Sequence, residues 1–311
     1  MLGLRIGILA NSMLFRVPLL LIQAVATSFV LWICLSTALP QITERYKSGK
    51  SFVNEPEYPY IPVGPRSTIN NSEIYFIIAH PDDEVMFFLP SLLELSRPTH
   101  HNNVHLLCLS TGDAAHPSMG PIRSNELRRS AQILGLPASN VVITDLFKDG
   151  MSEIWEPAAI ETVLKKHVKS NNAKIVTFDE DGISGHANHI SLFHGVSRLV
   201  KNHNKQGMEL YVLKSVNFLE KYSFTMLTNI ELIFHHLSKL IIGKVFNVSV
   251  NISVFKLTIG KKSLQFYSDL NMLSVSYAAM AYGHYSQMVW FRYGWLIFSR
   301  YLNHNQLIQV E

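Results

Sequence analysis

The polarity pattern divides the chain into three unequal stretches. From Val17 to Leu39 no charged residue occurs, a run of 23 positions. At ~1.5 Å per helical residue this run reaches ~35 Å, enough to cross a bilayer core of ~30 Å with some tilt. Ser36 and Ala38 are small residues at signal-cleavage spacing, which leaves a cleaved signal peptide as an alternative. The run exceeds the ~7–15-residue apolar core of such signals, so an uncleaved anchor is favoured. Residues 1–40 are therefore read as a transmembrane anchor. The polar stretch 41–72, with Pro56, Pro59, Pro62 and Pro65, is read as a semi-extended tether.

From residue 73 to 311 short apolar runs alternate with amphipathic stretches. The pattern predicts strands at Ile74–Ala79, Val104–Ser110, Val141–Asp145, Lys174–Phe178 and Leu210–Val216. Helices are predicted near Glu84–Ser96, Ile122–Leu134, Ala158–Lys169 and Asn188–Lys201, the second closed by Gly135. Nearly continuous apolar strands between helices predict an α/β, Rossmann-like, mostly parallel sheet with helices on both faces. Beyond Leu219 the pattern suggests paired strands within Val245–Leu257 and a helix over Ser263–Tyr282.

Composition narrows the class. The chain is 48% hydrophobic and 16% charged, with a net charge of +4. That charge is too small to argue for nucleic acid and is compatible with an anionic membrane surface or a phosphate-bearing substrate. Arg5 and Arg16 precede the apolar run, whereas Arg45, Lys47 and Lys50 follow it. The balance leans toward a cytoplasmic carboxyl-terminal domain. Asn-x-Ser triplets at Asn70, Asn247 and Asn251 would matter only if the domain were luminal. Cys34 and Cys108 stand in apolar runs outside any Cys-x-x-Cys spacing, which argues against a disulfide framework.

Ligands of open parallel sheets bind beyond the carboxyl ends of the strands. His80-Pro81-Asp82-Asp83-Glu84 follows the first strand, Thr111-Gly112-Asp113 the second, and Asp179 to His189 the fourth. Each segment has a structural explanation by itself: proline and acidic residues suit a first helical turn, and Gly182-Ile183-Ser184-Gly185 suits a loop. Neither explains histidines at both strand ends. Two imidazoles and a carboxylate can hold a zinc ion with one position open, and a further carboxylate and histidine can move protons and stabilise an oxyanion. Iron and manganese also accept nitrogen and oxygen ligands.

Ala79-His80-Pro81-Asp82-Asp83-Glu84, with Gly185-His186-Ala187-Asn188-His189, resembles the LmbE-like or PIG-L family of metal-dependent deacetylases. Val176-Thr177-Phe178-Asp179, Lys214-Ser215-Val216-Asn217, His284-Tyr285-Ser286-Gln287, Trp290-Phe291-Arg292 and Ser299-Arg300-Tyr301 narrow it to the eukaryotic N-acetylglucosaminyl-phosphatidylinositol de-N-acetylases. The resemblance covers most of residues 73–309. It implies that His80, Asp83 and His189 hold a divalent metal, zinc above others. It implies Asp82 as general base and His186 as oxyanion or proton partner. It also implies a glycolipid substrate, GlcNAc-phosphatidylinositol, in the second step of GPI-anchor assembly at the endoplasmic-reticulum membrane.

Arg123, with Glu126, resembles the family's Arg-x-x-Glu stretch and is a candidate substrate-pocket residue, or else a solvated helix-start arginine. Glu180-Asp181 depart from the smaller uncharged residues of the branch and are expected to point to solvent. Asn188 leaves no carboxylate between the histidines to orient His186, and Asp179 is a candidate substitute. His100-His101 and His235-His236 read as loop or surface groups. Met288–Phe298, rich in aromatics around Arg292, reads either as a bilayer-interface segment or as a terminal helix on the sheet. Two other functions stay open: a deacetylase of another N-acetylated sugar conjugate, and a catalytically silent tethered binding module. The absence of G-x-G-x-x-G after the first strand sets a dinucleotide-binding dehydrogenase aside.

Overall fold

The computed structural model describes residues 2–48, 69–203, 207–241 and 262–310. The chain opens with α1 (Leu2–Ile33), which passes through a π-turn at Cys34–Ala38 into α2 (Leu39–Ser48). Helical structure thus continues past position 40, and the four prolines of the expected tether lie outside the described residues. The expected strand pair within Val245–Leu257 also lies outside them, as do Asn247 and Asn251.

The sheet begins with β1 (Glu73–Ile78), followed by α3 (Asp83–Met86) and α4 (Leu89–Leu95). Next come β2 (Asn103–Cys108), α5 (Met119–Ile133), β3 (Val141–Ile143), α6 (Pro157–His167) and β4 (Lys174–Phe178). A short turn α7 (Gly182–Gly185) leads into α8 (Ala187–His203) and β5 (Glu209–Leu213). The remainder is α9 (Phe218–Lys221), α10 (Met226–Ile241), β6 (Ser263–Tyr267), α11 (Leu270–Ala278), α12 (Trp290–Phe298) and β7 (His304–Val310).

The strand order is β3-β2-β1-β4-β5-β7-β6. The first five strands are parallel, and β7 and β6 extend the sheet antiparallel. Both faces are covered. On β1, Tyr75 accepts a hydrogen bond from Lys169 N beyond α6, which packs with α8. The next residue, Phe76, points to the opposite face and meets the edge of Phe88 beside α4. Buried strand residues such as Ile74, Phe76, Ile175 and Leu213 make the core.

Two departures from the sequence reading concern the carboxyl-terminal third. Ser263–Tyr267 is a strand rather than the start of a helix, paired antiparallel with β7, and the helix begins only at Leu270. The helix after β1 breaks at Phe87 and Phe88, whose rings turn into the core between α3 and α4. Strand order reverses around β1, which lies between β2 and β4, and this switch point places the loops after β1 and β4 side by side.

Candidate active site

The loop after β1 is built around one carboxylate. Asp83 Oδ2 accepts hydrogen bonds from Ala79 N at 3.0 Å and His80 N at 2.9 Å, which fixes the turn and aims the acid inward. Between them Asp82 adopts φ 118°, a conformation an L-residue rarely takes. Its amide donates to Glu84 Oε2 at 3.1 Å. Glu84 is fully buried and also accepts from Ser130 Oγ at 2.6 Å and pairs with His284 Nε2. The strained turn is therefore held from behind by a buried network.

The loop after β4 has a second strained residue, Ile183 at φ 64°. Ser215 Oγ accepts from Ile183 N at 2.7 Å, and Lys221 Nζ donates to Ile183 O at 2.8 Å. Asp179 takes both Ser215 N and Ser215 Oγ at 2.6 Å. Asp179 thus clamps this loop through Ser215 and is no substitute partner for His186. Glu180 and Asp181 are exposed.

Hydrogen bonding decides which ring nitrogens are free. His80 Nε2 lies 2.9 Å from Asn188 Oδ1 and 3.0 Å from Asp149 Oδ1, two acceptors, so Nε2 carries a proton and Nδ1 is the nitrogen left for a cation. Nδ1 faces Asp83 Oδ2 at 3.7 Å. His189 Nδ1 donates to Gly182 O at 3.2 Å. Its Nε2 is buried, without a hydrogen-bond partner among the described residues, and 3.4 Å from Asp83 Oδ1. Phe178 stacks on this ring at 3.8 Å and keeps it in place.

His80, Asp83 and His189 form a group whose ligand atoms lie within 4.8 Å of one another. His80, Asp149 and His186 form a second such group. The second would need His80 Nε2, which Asn188 already engages; the first uses the two nitrogens that are free. An orphaned buried imidazole nitrogen beside an aimed carboxylate fits a divalent cation. The electrostatics agree. Burial alone would lower the His80 pKa, but hydrogen bonds to Asp149 and Asp83 raise it to about 10. Asp83, despite its burial, is held well below the usual carboxylate range by His189 and His80. The site attracts positive charge.

His186 is half-buried, its ring 4.8 Å from that of His80 and 4.7 Å from that of His189. Burial and the two neighbouring imidazoles lower its pKa to about 4. Its Nδ1 accepts from Asn188 N at 3.2 Å, so the neutral ring presents Nε2–H as a donor.

Arg123 is not a solvated arginine. Its side chain is 11% exposed and donates to Pro81 O and Gly112 O, each at 2.7 Å. It approaches Asp82 Oδ2 at 3.4 Å and Asp149 Oδ2 at 3.5 Å, tying together the loops after β1, β2 and β3. Gly112, at φ +72°, suits glycine by its backbone, and a Cβ there would lie 2.4 Å from Arg123 Nη1 and push the guanidinium aside. Glu126 turns away from the site and accepts from Ser286 N and Oγ at 2.6 and 2.7 Å.

Two contributors were missed from sequence. Asp149, in the loop after β3, partners His80. Arg292 of α12 donates to Asp82 Oδ2 at 2.8 Å, so Asp82 is paired rather than free. The position of Asp149 past a strand's carboxyl end was the available signal for it. The paired histidines separate: His100 bonds Glu94 and Asn70 near the surface, whereas His235 and His236 lie on α10, where His236 Nε2 meets Leu35 O.

The family model described as GlcNAc-PI de-N-acetylase matches residues 75–200. The chain is 36% identical over 237 residues to a probable N-acetylglucosaminyl-phosphatidylinositol de-N-acetylase of Schizosaccharomyces pombe, covering 75% of this chain and 85% of that one. It is 34% identical over 259 residues to the N-acetylglucosaminyl-phosphatidylinositol de-N-acetylase of Bos taurus, covering 82% and 88%. Among solved structures, a deacetylase triple mutant from the teicoplanin biosynthetic pathway aligns with a TM-score of 0.48 and 12% identity over 77% of this chain and 98% of that one. The chain belongs to the GlcNAc-PI de-N-acetylase family of deacetylases.

Proposed function

We propose that the protein hydrolyses the acetamide of N-acetylglucosaminyl-phosphatidylinositol to acetate and glucosaminyl-phosphatidylinositol, the second step of GPI-anchor biosynthesis. The observation that carries this reading is the convergence of His80 Nδ1, Asp83 and the orphaned His189 Nε2 beside Asp82 and His186. The names of the relatives supply the substrate.

His80, Asp83 and His189 would hold a divalent cation, which we take to be zinc. Such a cation supplies Lewis acidity, lowering the pKa of water toward ~7 and polarising a carbonyl. The remaining steps belong to side chains. Asp82 takes the proton of the attacking water and later delivers it to the departing amine nitrogen. His186 Nε2–H donates to the oxygen that gains negative charge as the carbonyl carbon becomes tetrahedral. Asp149 and Asn188 keep His80 in the orientation that presents Nδ1. Arg123 lines the pocket and sets the positions of Asp82 and Asp149.

The span Pro18–Thr43, which contains an 18-residue window of mean hydropathy 2.1, fits a single-pass anchor. An anchor at residues 1–40 would confine the domain of residues 73–311 to the membrane holding its lipid. We place it at the endoplasmic reticulum with the domain on the cytoplasmic side. The purified full chain, given the acetyl-labelled glycolipid, should release labelled acetate. Release from soluble N-acetylated sugars with none from the lipid would overturn the substrate assignment.

A further inference from the structure

Helix α10 is amphipathic in the reverse sense. Met226, Ile230, Ile233, Phe234 and Leu237 recur at helical spacing on its outer side, all exposed and none charged. Thr228, Asn229 and Glu231 point inward. Glu231 receives Arg300 Nη2 at 2.7 Å on both carboxylate oxygens, and Asn229 Nδ2 donates to Ser28 O at 2.8 Å. A helix that turns its polar side to the protein and its apolar side out is not built to face water.

What covers that face follows from α1. Ser28 Oγ meets Thr225 Oγ1 at 2.8 Å, Trp32 is fully buried, Leu35 O bonds His236, and Thr37 Oγ1 accepts from Leu270 N at 3.0 Å. These contacts fall at residues 28–37, in the middle of the 26-residue apolar span Pro18–Thr43. A bilayer core takes about 20 helical residues, and every placement of 20 within that span includes residues 28–37. The bilayer that receives the span therefore receives α10 beside it.

The surface continues to the catalytic groups. Phe29 of the span stacks on Phe224 at 5.8 Å, and Phe224 meets the edge of Phe298 on α12 at 6.4 Å. Trp290, Phe291 and Tyr293 project from α12 into solvent, Trp290 being 85% exposed. Arg292 on the same helix turns inward to Asp82. Tryptophan and tyrosine settle at the headgroup level of bilayers.

We infer that α10 and α12 form a second membrane-contact surface continuous with the N-terminal span, with α10 among the acyl chains and the α12 aromatics at the headgroups. The domain is then partly immersed, not hung on a tether, and its catalytic carboxylate sits one side chain from the lipid surface. This inference rests on the membrane-anchor reading given above.

The tryptophans provide the test. Trp32, Trp155 and Trp295 are buried, so Trp290 is the accessible one. The full chain is reconstituted in phosphatidylcholine vesicles, and emission is compared with that of Trp290→Phe to isolate Trp290. A second reporter, Phe234→Trp in the Trp290→Phe background, reads α10. Flotation after an alkaline wash reads the anchor separately. The expected result is quenching of Trp290 by lipid brominated near the headgroup, and of the position-234 tryptophan by lipid brominated deep in the chains, with little quenching by aqueous iodide. Iodide quenching of either reporter without bromolipid quenching, in protein that still floats, overturns the inference and leaves the anchor standing. Protein that fails to float overturns both.

Discussion

Arg292 Nη2 stands 2.8 Å from Asp82 Oδ2, joining α12 to the turn after β1 across 210 positions of sequence. Asp82 is buried, and its backbone is strained. A buried carboxylate needs a cationic partner, and Arg292 with Arg123 provides it. The pair also couples the helix carrying the exposed aromatics to the proposed proton-transfer group.

A double-mutant cycle measures that coupling. Arg292→Met and Asp82→Asn should each change stability, and the double variant should depart from additivity by about 1–3 kcal/mol. Denaturant unfolding of the detergent-solubilised full chain gives the numbers. Simple additivity would mean the contact has no energetic weight.

Asp149→Asn removes the charge beside His80 Nε2 while keeping the side chain's shape. Because such partners orient and strengthen an imidazole ligand, zinc affinity should fall about 10–100-fold. Competition against a chromophoric chelator reads the affinity directly. An unchanged dissociation constant would remove Asp149 from the metal site.

The pKa of about 10 at His80 has a consequence for metal uptake. In the metal-free protein the ring holds a second proton through neutral pH, on the nitrogen that faces Asp83. That proton must leave when Nδ1 takes a cation. Zinc affinity should therefore rise about tenfold per pH unit from neutrality toward that pKa. Calorimetry in buffers of different ionisation enthalpy should show proton release. A pH-independent affinity contradicts this.

His304 predicts an acid-side effect on stability. Burial, with Arg300 and Lys214 nearby, holds its pKa well below 6.5, and its Nδ1 lies 3.2 Å from Arg300 Nη2, a donor it accepts only when neutral. The unfolded chain takes up this proton as pH falls through 6.5, and the native state does not. Stability from this group is complete above 6.5 and declines below it. His304→Asn should make the fall in melting temperature on acidification shallower. Parallel curves for the two proteins would refute the assignment.

The first four strand–helix units were legible because their strands are short apolar runs bounded by turn residues. The convergence of His80 and Asp83 with His189 was legible because His80-Pro81-Asp82-Asp83 and His186-Ala187-Asn188-His189 are compact motifs at predictable strand ends. Asp149 carries no local signature; only the fold brings Lys148-Asp149-Gly150 against His80. Strand β7 was missed because His304, Asn305 and Gln306 read as polar surface. They are buried, with Asn305 Nδ2 donating to Phe87 O and its Oδ1 accepting from Ser91. Arg292 looked like a membrane-surface residue because its neighbours are. Its inward turn is a tertiary fact.

If His80, Asp83 and His189 hold the metal on which deacetylation depends, losing one of them must cost both metal and activity. The most direct measurement is metal content by elemental analysis, run beside acetate release, for the full chain and for His189→Ala and Asp82→Asn. The expected result is one metal per chain with activity in the first, loss of both in His189→Ala, and retained metal with lost activity in Asp82→Asn. A His189→Ala protein that keeps its metal and its activity would contradict it.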